Sequence, residues 1–239
     1  MKISVVTISQ RGRFPTLQIL VKHLLSQTIK PHEWVIVEGS KTEEDAALHA
    51  ADIATIHVPF TVNYVPYKPG LKLGALRNRG NQSCTGDITI CMDDDDFYPT
   101  DRIQHVMEQF KKHPTLNIAG CTNVLLYDYT NKVFYQCIGF HPNHATNNTM
   151  AWRTKYIKTH RHDDEKSNAE EASFTNQFSE PMIPLTPTKT VIVSSHTSNT
   201  FDKRNLVKCN PRFIMIPHSA IHKLIPYDIY NEYSSFFVK

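Results

Sequence analysis

Apolar residues fall in short runs divided by polar turns, and two spacings alternate along the chain. Ile3, Val5, Val6 and Ile8 make an apolar run of strand length that gives way to polar Ser9-Gln10-Arg11-Gly12-Arg13. Pro15 suits the first turn of a helix. Leu17, Leu20, Val21, Leu24 and Leu25 then recur at i, i+3, i+4, i+7 and i+8, the pattern of a helix laying one face on a sheet. Pro31 breaks the chain before Trp34-Val35-Ile36-Val37, a second buried strand closed by Glu38-Gly39-Ser40. Strand, helix and strand in this order predict a βαβ unit with parallel strands.

Beyond it the pattern predicts a short helix over 43–51, short strands at 55–58 and 62–65 split by Pro59, and a helix over 73–84. A helix over 100–112 is expected from Ile103, Val106, Met107 and Phe110 on one face, with Thr100 as N-cap. Apolar runs at 116–126 and 133–138 flank Asp128-Tyr129-Thr130-Asn131-Lys132, which reads as a hairpin turn. Residues 139–150 are polar, order resumes at Ala151-Trp152-Arg153, and 160–173 is dense in charge. Val191-Ile192-Val193 is a late strand. The tail from 210, with three Pro and many aromatics, carries no assignable pattern.

Between the third and fourth helical segments the apolar run Ile88-Thr89-Ile90-Cys91-Met92 ends in four consecutive carboxylates, Asp93 to Asp96. Adjacent carboxylates repel one another, and packing does not require them. A divalent cation would remove the repulsion, and hard oxygen ligands suit Mg²⁺ or Mn²⁺ shared with substrate phosphates. The stretch therefore predicts a metal–diphosphate site at the carboxyl end of a central strand, where open α/β sheets bind ligands. A solvated acidic loop is the plainer alternative.

Length and charge narrow the classes. The 239 residues fit one large domain or two small ones, and a net charge of +3 is too small to argue for nucleic acid. Five scattered Cys with no C-x-x-C pair suggest free thiols in a reducing compartment. No apolar stretch approaches the ~20 residues of a membrane span. Met1-Lys2 leads directly into a strand. A cytoplasmic protein is the expectation, with oligomeric state open.

The order strand, helix, strand, then Leu73-Gly74-Ala75-Leu76-Arg77-Asn78-Arg79-Gly80 and Gly86-Asp87-Ile88-Thr89-Ile90-Cys91-Met92 with the acidic tetrad, resembles the GT-A fold glycosyltransferases, and family 2 in particular. The likeness spans about residues 1–200 and is most specific over 72–99. It implies an α/β, Rossmann-like domain with a mostly parallel central sheet flanked by helices. Residues 1–100 would bind a nucleotide-sugar, 101–200 the acceptor, and 201–239 would form an extension packed on that domain. The implied activity is metal-dependent glycosyl transfer, with inversion, from a nucleotide-sugar (a UDP-sugar first) to a hydroxyl of a glycan or other acceptor.

The family's D-x-D motif falls on Asp93, near the donor ribose, and Asp95, on the cation, with Asp94 at the variable position beside the nucleotide. The resemblance places Thr7, Ser9, Arg11 and Glu38 at the nucleotide, although relatives often carry Asp where Glu38 stands. Arg77 and Asn78 match an Arg-Asn pair near the nucleotide, with a structural ion pair as the alternative for Arg77. Lys72 could approach base or phosphate. Glu170-Glu171 matches a Glu-Asp pair, which makes Glu171 the expected acceptor base and Glu170 and Asp164 its rivals. A base must take the acceptor hydroxyl proton as that oxygen attacks the anomeric carbon. His196 stands where some relatives carry a His on the metal or diphosphate. Trp152 and Asp96 are assigned to the acceptor side, with a core role the alternative for Trp152. His218 and His222 have metal-binding spacing but no third ligand. Two other functions stay open. A sugar-1-phosphate nucleotidyltransferase is disfavoured by the single Gly in Gln10-Arg11-Gly12-Arg13. A non-catalytic module would use the tetrad to bind Ca²⁺ or a basic partner.

Overall fold

The structure is a computed structural model and describes residues 1–197, 199, 203 and 210–238. Four parallel strands form the first half of the central sheet: β1 (Ile3–Ser9), β2 (Glu33–Glu38), β3 (Thr61–Val65) and β4 (Ile88–Cys91). Three helices connect them: α1 (Phe14–Ser26), α2 (Glu43–Ile53) and α3 (Leu73–Ser83). α4 (Arg102–Lys112) leads out of the acidic loop to β5 (Ile118–Gly120), β6 (Val124–Asp128) and β7 (Val133–Cys137). After these come β8 (Ala151–Arg153), α5 (Glu171–Phe174), β9 (Ile183–Pro184), β10 (Ile192–Ser195) and β11 (Phe213–Ile216). The C-terminal helix α6 spans Tyr227–Phe237.

The central sheet runs β3-β2-β1-β4-β8-β5-β9, and a second sheet runs β10-β6-β7-β11. β8 is antiparallel to both neighbours, so the large sheet is mostly but not wholly parallel. β2 and β4 are buried at every position, as their continuous apolar runs require. α1 and α4 lay Leu17, Leu20, Leu24, Ile103, Val106 and Phe110 in one core cluster with Val5, Ile36 and Ile90. Leu76 of α3 lies in another, with Val6, Val35 and Val37. A Cβ at Gly80 would stand 2.7 Å from Val6 and 2.9 Å from Val37 side chains, so the glycine lets α3 settle directly on the sheet.

Strand order reverses at β1. β2 and β3 lie on one side and β4 on the other, so the loops leaving β1 and β4 diverge around a crevice. Open sheets of this kind bind ligands there, and the acidic tetrad follows β4 at that point.

Several boundaries differ from the sequence pattern. Thr55–Val58 is not a strand; the chain turns there after α2 and pairs only from Thr61. The helix after the tetrad begins at Arg102 behind Asp101, and no side chain caps it. Thr100 instead gives its carbonyl to the Thr28 amide at 2.8 Å. The run 116–126 is divided between two sheets, as β5 and the start of β6. The tail from 210 supplies β11 to the second sheet and then α6, whose Ile229, Tyr233 and Phe237 pack with Leu125, Tyr127 and Tyr129.

Candidate active site

Each of the four aspartates after β4 has a different environment. Asp93 is the most open, and its Oδ1 accepts from Arg77 Nη1 at 2.9 Å. Asp94 and Asp95 both face Arg13, which comes from the turn between β1 and α1. Arg13 Nη1 is paired with Asp95 Oδ2 and lies 3.4 Å from Asp94 Oδ1. Asp96 points into the protein. Its carboxylate accepts from Asn148 Nδ2 at 2.6 Å and the Ser194 amide at 2.8 Å, and its carbonyl accepts from Tyr233 Oη at 2.8 Å.

These environments separate the carboxyl groups chemically. Burial, with the charge of Asp95 beside it, pushes Asp94 up to about 8 against the pull of Arg13. Burial and Asp95 likewise push Asp96 up to about 7. Against its own burial, Asp95 is held well below the usual carboxylate range by Arg13 and His196. Of the three buried aspartates, Asp95 is therefore the one held ionised.

His196, at the end of β10, places Nε2 3.1 Å from Asp95 Oδ2, and Asn199 Nδ2 reaches the same oxygen at 3.2 Å. Nε2 and Oδ2 are thus in direct hydrogen-bond contact, and a divalent ion held by both would take the place of that hydrogen bond. Among the described residues no three His, Cys, Asp or Glu side chains converge as ligands for one ion. A two-ligand site completed by diphosphate and water suits Mg²⁺ or Mn²⁺. Arg13, on the same Oδ2, competes for that place.

Arg77 spans the crevice floor. Besides Asp93, its Nε donates to Glu170 Oε1 at 3.2 Å and its Nη1 approaches Cys91 Sγ at 3.1 Å. This is the ion-pair alternative foreseen for Arg77. Glu170 also accepts from Asn147 Nδ2 at 2.8 Å and is 3% exposed, which leaves it no open face. Glu171, the first residue of α5, accepts from the Asn147 amide at 3.2 Å and is partly open. Burial and the neighbouring Glu170 push it up to about 7. The third rival, Asp164, is held below the usual range by Asn78 Nδ2 at 2.7 Å and by Arg161 at 2.5 Å.

Other expected contacts fall elsewhere for physical reasons. Thr7 is fully buried; its hydroxyl donates to Met92 O at 2.7 Å and accepts from Trp34 Nε1 at 2.9 Å, so it braces β4 and does not face a nucleotide. Asn78 is likewise committed, with His162 O at 2.7 Å, the His162 amide at 2.9 Å and Asp164, pinning the charged loop onto α3. A Cβ at Gly74 would meet Asp163 O at 1.9 Å, so that loop can lie this close only on a glycine. Trp152 is 1% exposed, with its ring 5.0 Å from Phe174. It is a core residue and offers no face to an acceptor. Asp96, with its oxygens occupied, is a loop anchor and not an acceptor contact.

Of the remaining candidates, Ser9 is buried with its hydroxyl toward Asp94. Arg11 pairs with Asp52, and Lys72 Nζ with Glu165 at 2.8 Å. Glu38 accepts from the Ser40 amide and His49 Nδ1, both at 2.7 Å, and from Tyr64 Oη at 2.8 Å. It stiffens one wall of a cavity of about 200 Å³ lined also by Ser40, Lys41, Tyr67, Lys68 and Leu71. His218 and His222 lie in the tail beside Tyr127 and Tyr230, away from the tetrad's partners.

Arg13 and Asn147 were missed by sequence reasoning. Arg13 had a signal: buried adjacent carboxylates need a cation, and Arg11-Gly12-Arg13 follows the strand beside theirs. Asn147, in an irregular polar stretch, had none.

With this geometry in place, comparison with known proteins assigns the class. The glycosyl transferase family 2 model matches residues 4–171, and the chain belongs to that family. Its fold is that of the GT-A glycosyltransferases. Over 111 residues it is 26% identical to the uncharacterized glycosyltransferase YwdF of Bacillus subtilis, covering 46% of this chain and 39% of that protein. Two solved structures share the fold. The mannosyltransferase PcManGT of Pyrobaculum calidifontis, in complex with GDP-Man and Mn²⁺, has a TM-score of 0.61 at 12% identity, over 98% of this chain and 69% of that one. S. aureus TarS with UDP-GlcNAc has a TM-score of 0.58 at 13% identity, over 99% and 73%. The chain thus spans well under half the length of the curated relative. Among the described residues no helix is long and apolar enough to cross a membrane.

Proposed function

We propose that this chain transfers a sugar from a nucleotide-sugar, a UDP-sugar first, to a hydroxyl of a glycan or other acceptor, with inversion and with Glu171 as the acceptor base. The observation that carries the reading is Arg77, whose guanidinium joins Asp93 of the tetrad to Glu170, the neighbour of Glu171, and so ties the loop that holds Asp95 to the start of α5. Relatives of the same fold hold GDP-Man with Mn²⁺ or UDP-GlcNAc. Family membership sets aside the nucleotidyltransferase alternative.

In this reading Asp95 and His196 hold a divalent cation, Mn²⁺ or Mg²⁺. When bound, that ion offsets the charge that develops on the departing diphosphate. Arg13, released from Asp95, adds its own positive charge on the same side. The donor base enters the cavity beside Ser40 and Tyr67. Glu171 accepts the acceptor proton as the acceptor oxygen bonds to the anomeric carbon and the bond to the diphosphate oxygen breaks. A carboxylate near pH 7 is well matched to that proton. Asn147 contacts both glutamates, its side chain on Glu170 and its amide on Glu171, and so fixes their relative positions.

A thermal-shift screen of UDP, GDP, CMP and their sugars, with and without Mn²⁺, tests the donor site, because ligands of the native state raise the melting temperature. A shift for one nucleotide class that needs Mn²⁺ and is lost in Asp95→Ala is expected. Stabilisation by Ca²⁺ alone, with no nucleotide effect, would overturn the reading in favour of a non-catalytic module.

A further inference from the structure

We infer that α6 is a positioning element for the cation site, with Phe237 setting the plane of the His196 ring. This rests on the cation reading proposed above. The His196 and Phe237 rings lie face to face, 3.8 Å apart and 8° from parallel. One turn earlier on the same helix face, Tyr233 stacks on Phe237 at 5.4 Å and 7°. The three rings form one column. Tyr129, from the end of the second sheet's β6, lies 5.1 Å from Phe237.

The column touches the site at both ends. Tyr233 Oη donates to the Asp96 carbonyl at 2.8 Å, which ties α6 to the loop that carries Asp95. Phe237 covers one face of His196, whose Nε2 meets Asp95 Oδ2 at 3.1 Å and Asn199 Nδ2 at 2.8 Å. Both aromatic residues are almost wholly buried, at 0% and 2% exposed.

An imidazole turns about two side-chain bonds, and its nitrogen can serve a metal in only one plane. Outer-shell hydrogen-bond partners that orient a ligating His are typically worth 10–100-fold in metal affinity, and a stacked ring restricts the same rotation. Phe237 reaches His196 by stacking and touches no reacting atom, so it is a positioning residue. A leucine there would keep most of the volume and lose the flat face.

The test is Mn²⁺ binding, read by the EPR signal of free Mn²⁺ with saturating UDP and, separately, GDP. It would use wild type, Phe237→Leu, Phe237→Tyr, His196→Ala and the His196→Ala/Phe237→Leu pair. Phe237→Leu is expected to weaken Mn²⁺ about 10-fold, and Phe237→Tyr to stay close to wild type. In the His196→Ala background Phe237→Leu should add nothing, because the ring it orients is gone. Equal Mn²⁺ affinity in Phe237→Leu and wild type, with His196→Ala weakened, would overturn the inference and leave the cation site standing. An undiminished Phe237→Leu effect without His196 would show that Phe237 acts through the fold and also overturn it. No Mn²⁺ bound by wild type with either diphosphate would remove the cation reading itself, and the inference with it.

Discussion

Replacing Arg13 by methionine removes the cation that holds Asp94 and Asp95 together and keeps much of the side-chain volume. Arg13, Asp94 and Asp95 side chains are 10%, 7% and 11% exposed, so this is a buried cluster. Removing one partner of a buried pair costs about 3–5 kcal/mol, because the other charge is left uncompensated. For a domain of this size each kcal/mol moves the melting temperature ~2–4 °C. Arg13→Met should therefore melt roughly 6–20 °C below wild type in EDTA. A divalent ion would take the vacated face of Asp95. At a hundredfold excess over its dissociation constant it returns about 2.7 kcal/mol, which is about 5–11 °C. Wild type should gain less from Mn²⁺, since Arg13 has to leave Oδ2 first. Differential scanning calorimetry of both proteins with EDTA and with Mn²⁺ checks this. A variant within 2 °C of wild type in EDTA, or a larger Mn²⁺ gain in wild type than in the variant, would refute the argument that Arg13 stands where the cation goes.

Other outcomes follow from the same geometry. Glu171→Gln should bind donor normally and lose about 10²–10⁴ in transfer rate, the usual worth of a general base; loss of donor binding in that variant would point to a structural role. The base works only when ionised, so the wild-type rate should rise with pH and reach half its plateau near the value of about 7 set by burial and Glu170; a profile flat from pH 5.5 to 8 would count against Glu171. Trp152→Ala should cost about 3–5 kcal/mol in urea unfolding, as a core aromatic does, with little change in acceptor KM; the reverse would restore it to the acceptor site. Burial lowers His23 to about 3, so the unfolded chain binds a proton there that the native state does not. Its contribution to stability is complete above the unfolded value of ~6.5 and lost at up to about 1.4 kcal/mol per pH unit as pH falls toward the folded value. His23→Leu should flatten the acid side of the stability–pH curve, and an unchanged slope would exclude His23 as its source.

What the sequence made legible follows from how each element is stabilised. β1, β2 and β4 are buried on both faces, so their apolar runs are continuous and easy to see. α1 carries its stripe over two full turns. β8 and β9 have three and two residues, too few for any period, and exist because neighbours pair with them. The acidic tetrad stood out because concentrated like charge needs an explanation. Its individual roles did not: whether Asp94, Asp95 or Asp96 is held ionised depends on Arg13, Ser194 and Asn148, which come from three other segments. Trp152 and Phe237 show the same limit for aromatics, since enclosure of a ring by Phe174, or its stacking on His196, depends on chain far away. α6 did carry an i, i+4, i+8 pattern in Ile229, Tyr233 and Phe237, obscured by Pro226 and by the number of other aromatics around it.

Phe97, just past the tetrad, exchanges two backbone hydrogen bonds with Ile192, at 3.1 and 2.9 Å. With Ser194 on the Asp96 carboxylate and Tyr233 on its carbonyl, the loop is fastened by residues 98 and 137 positions later in the chain. Contacts so distant in sequence form late, because closing the intervening loop must precede them. A chain that has emerged only as far as α4 therefore lacks the partners that finish the acidic loop. Arg13 and Arg77 can meet the carboxylates early, but the contacts of Ser194, His196 and Tyr233 with Asp95 and Asp96 wait for the last fifth of the chain, so the acidic loop is begun by one end of the molecule and fastened by the other.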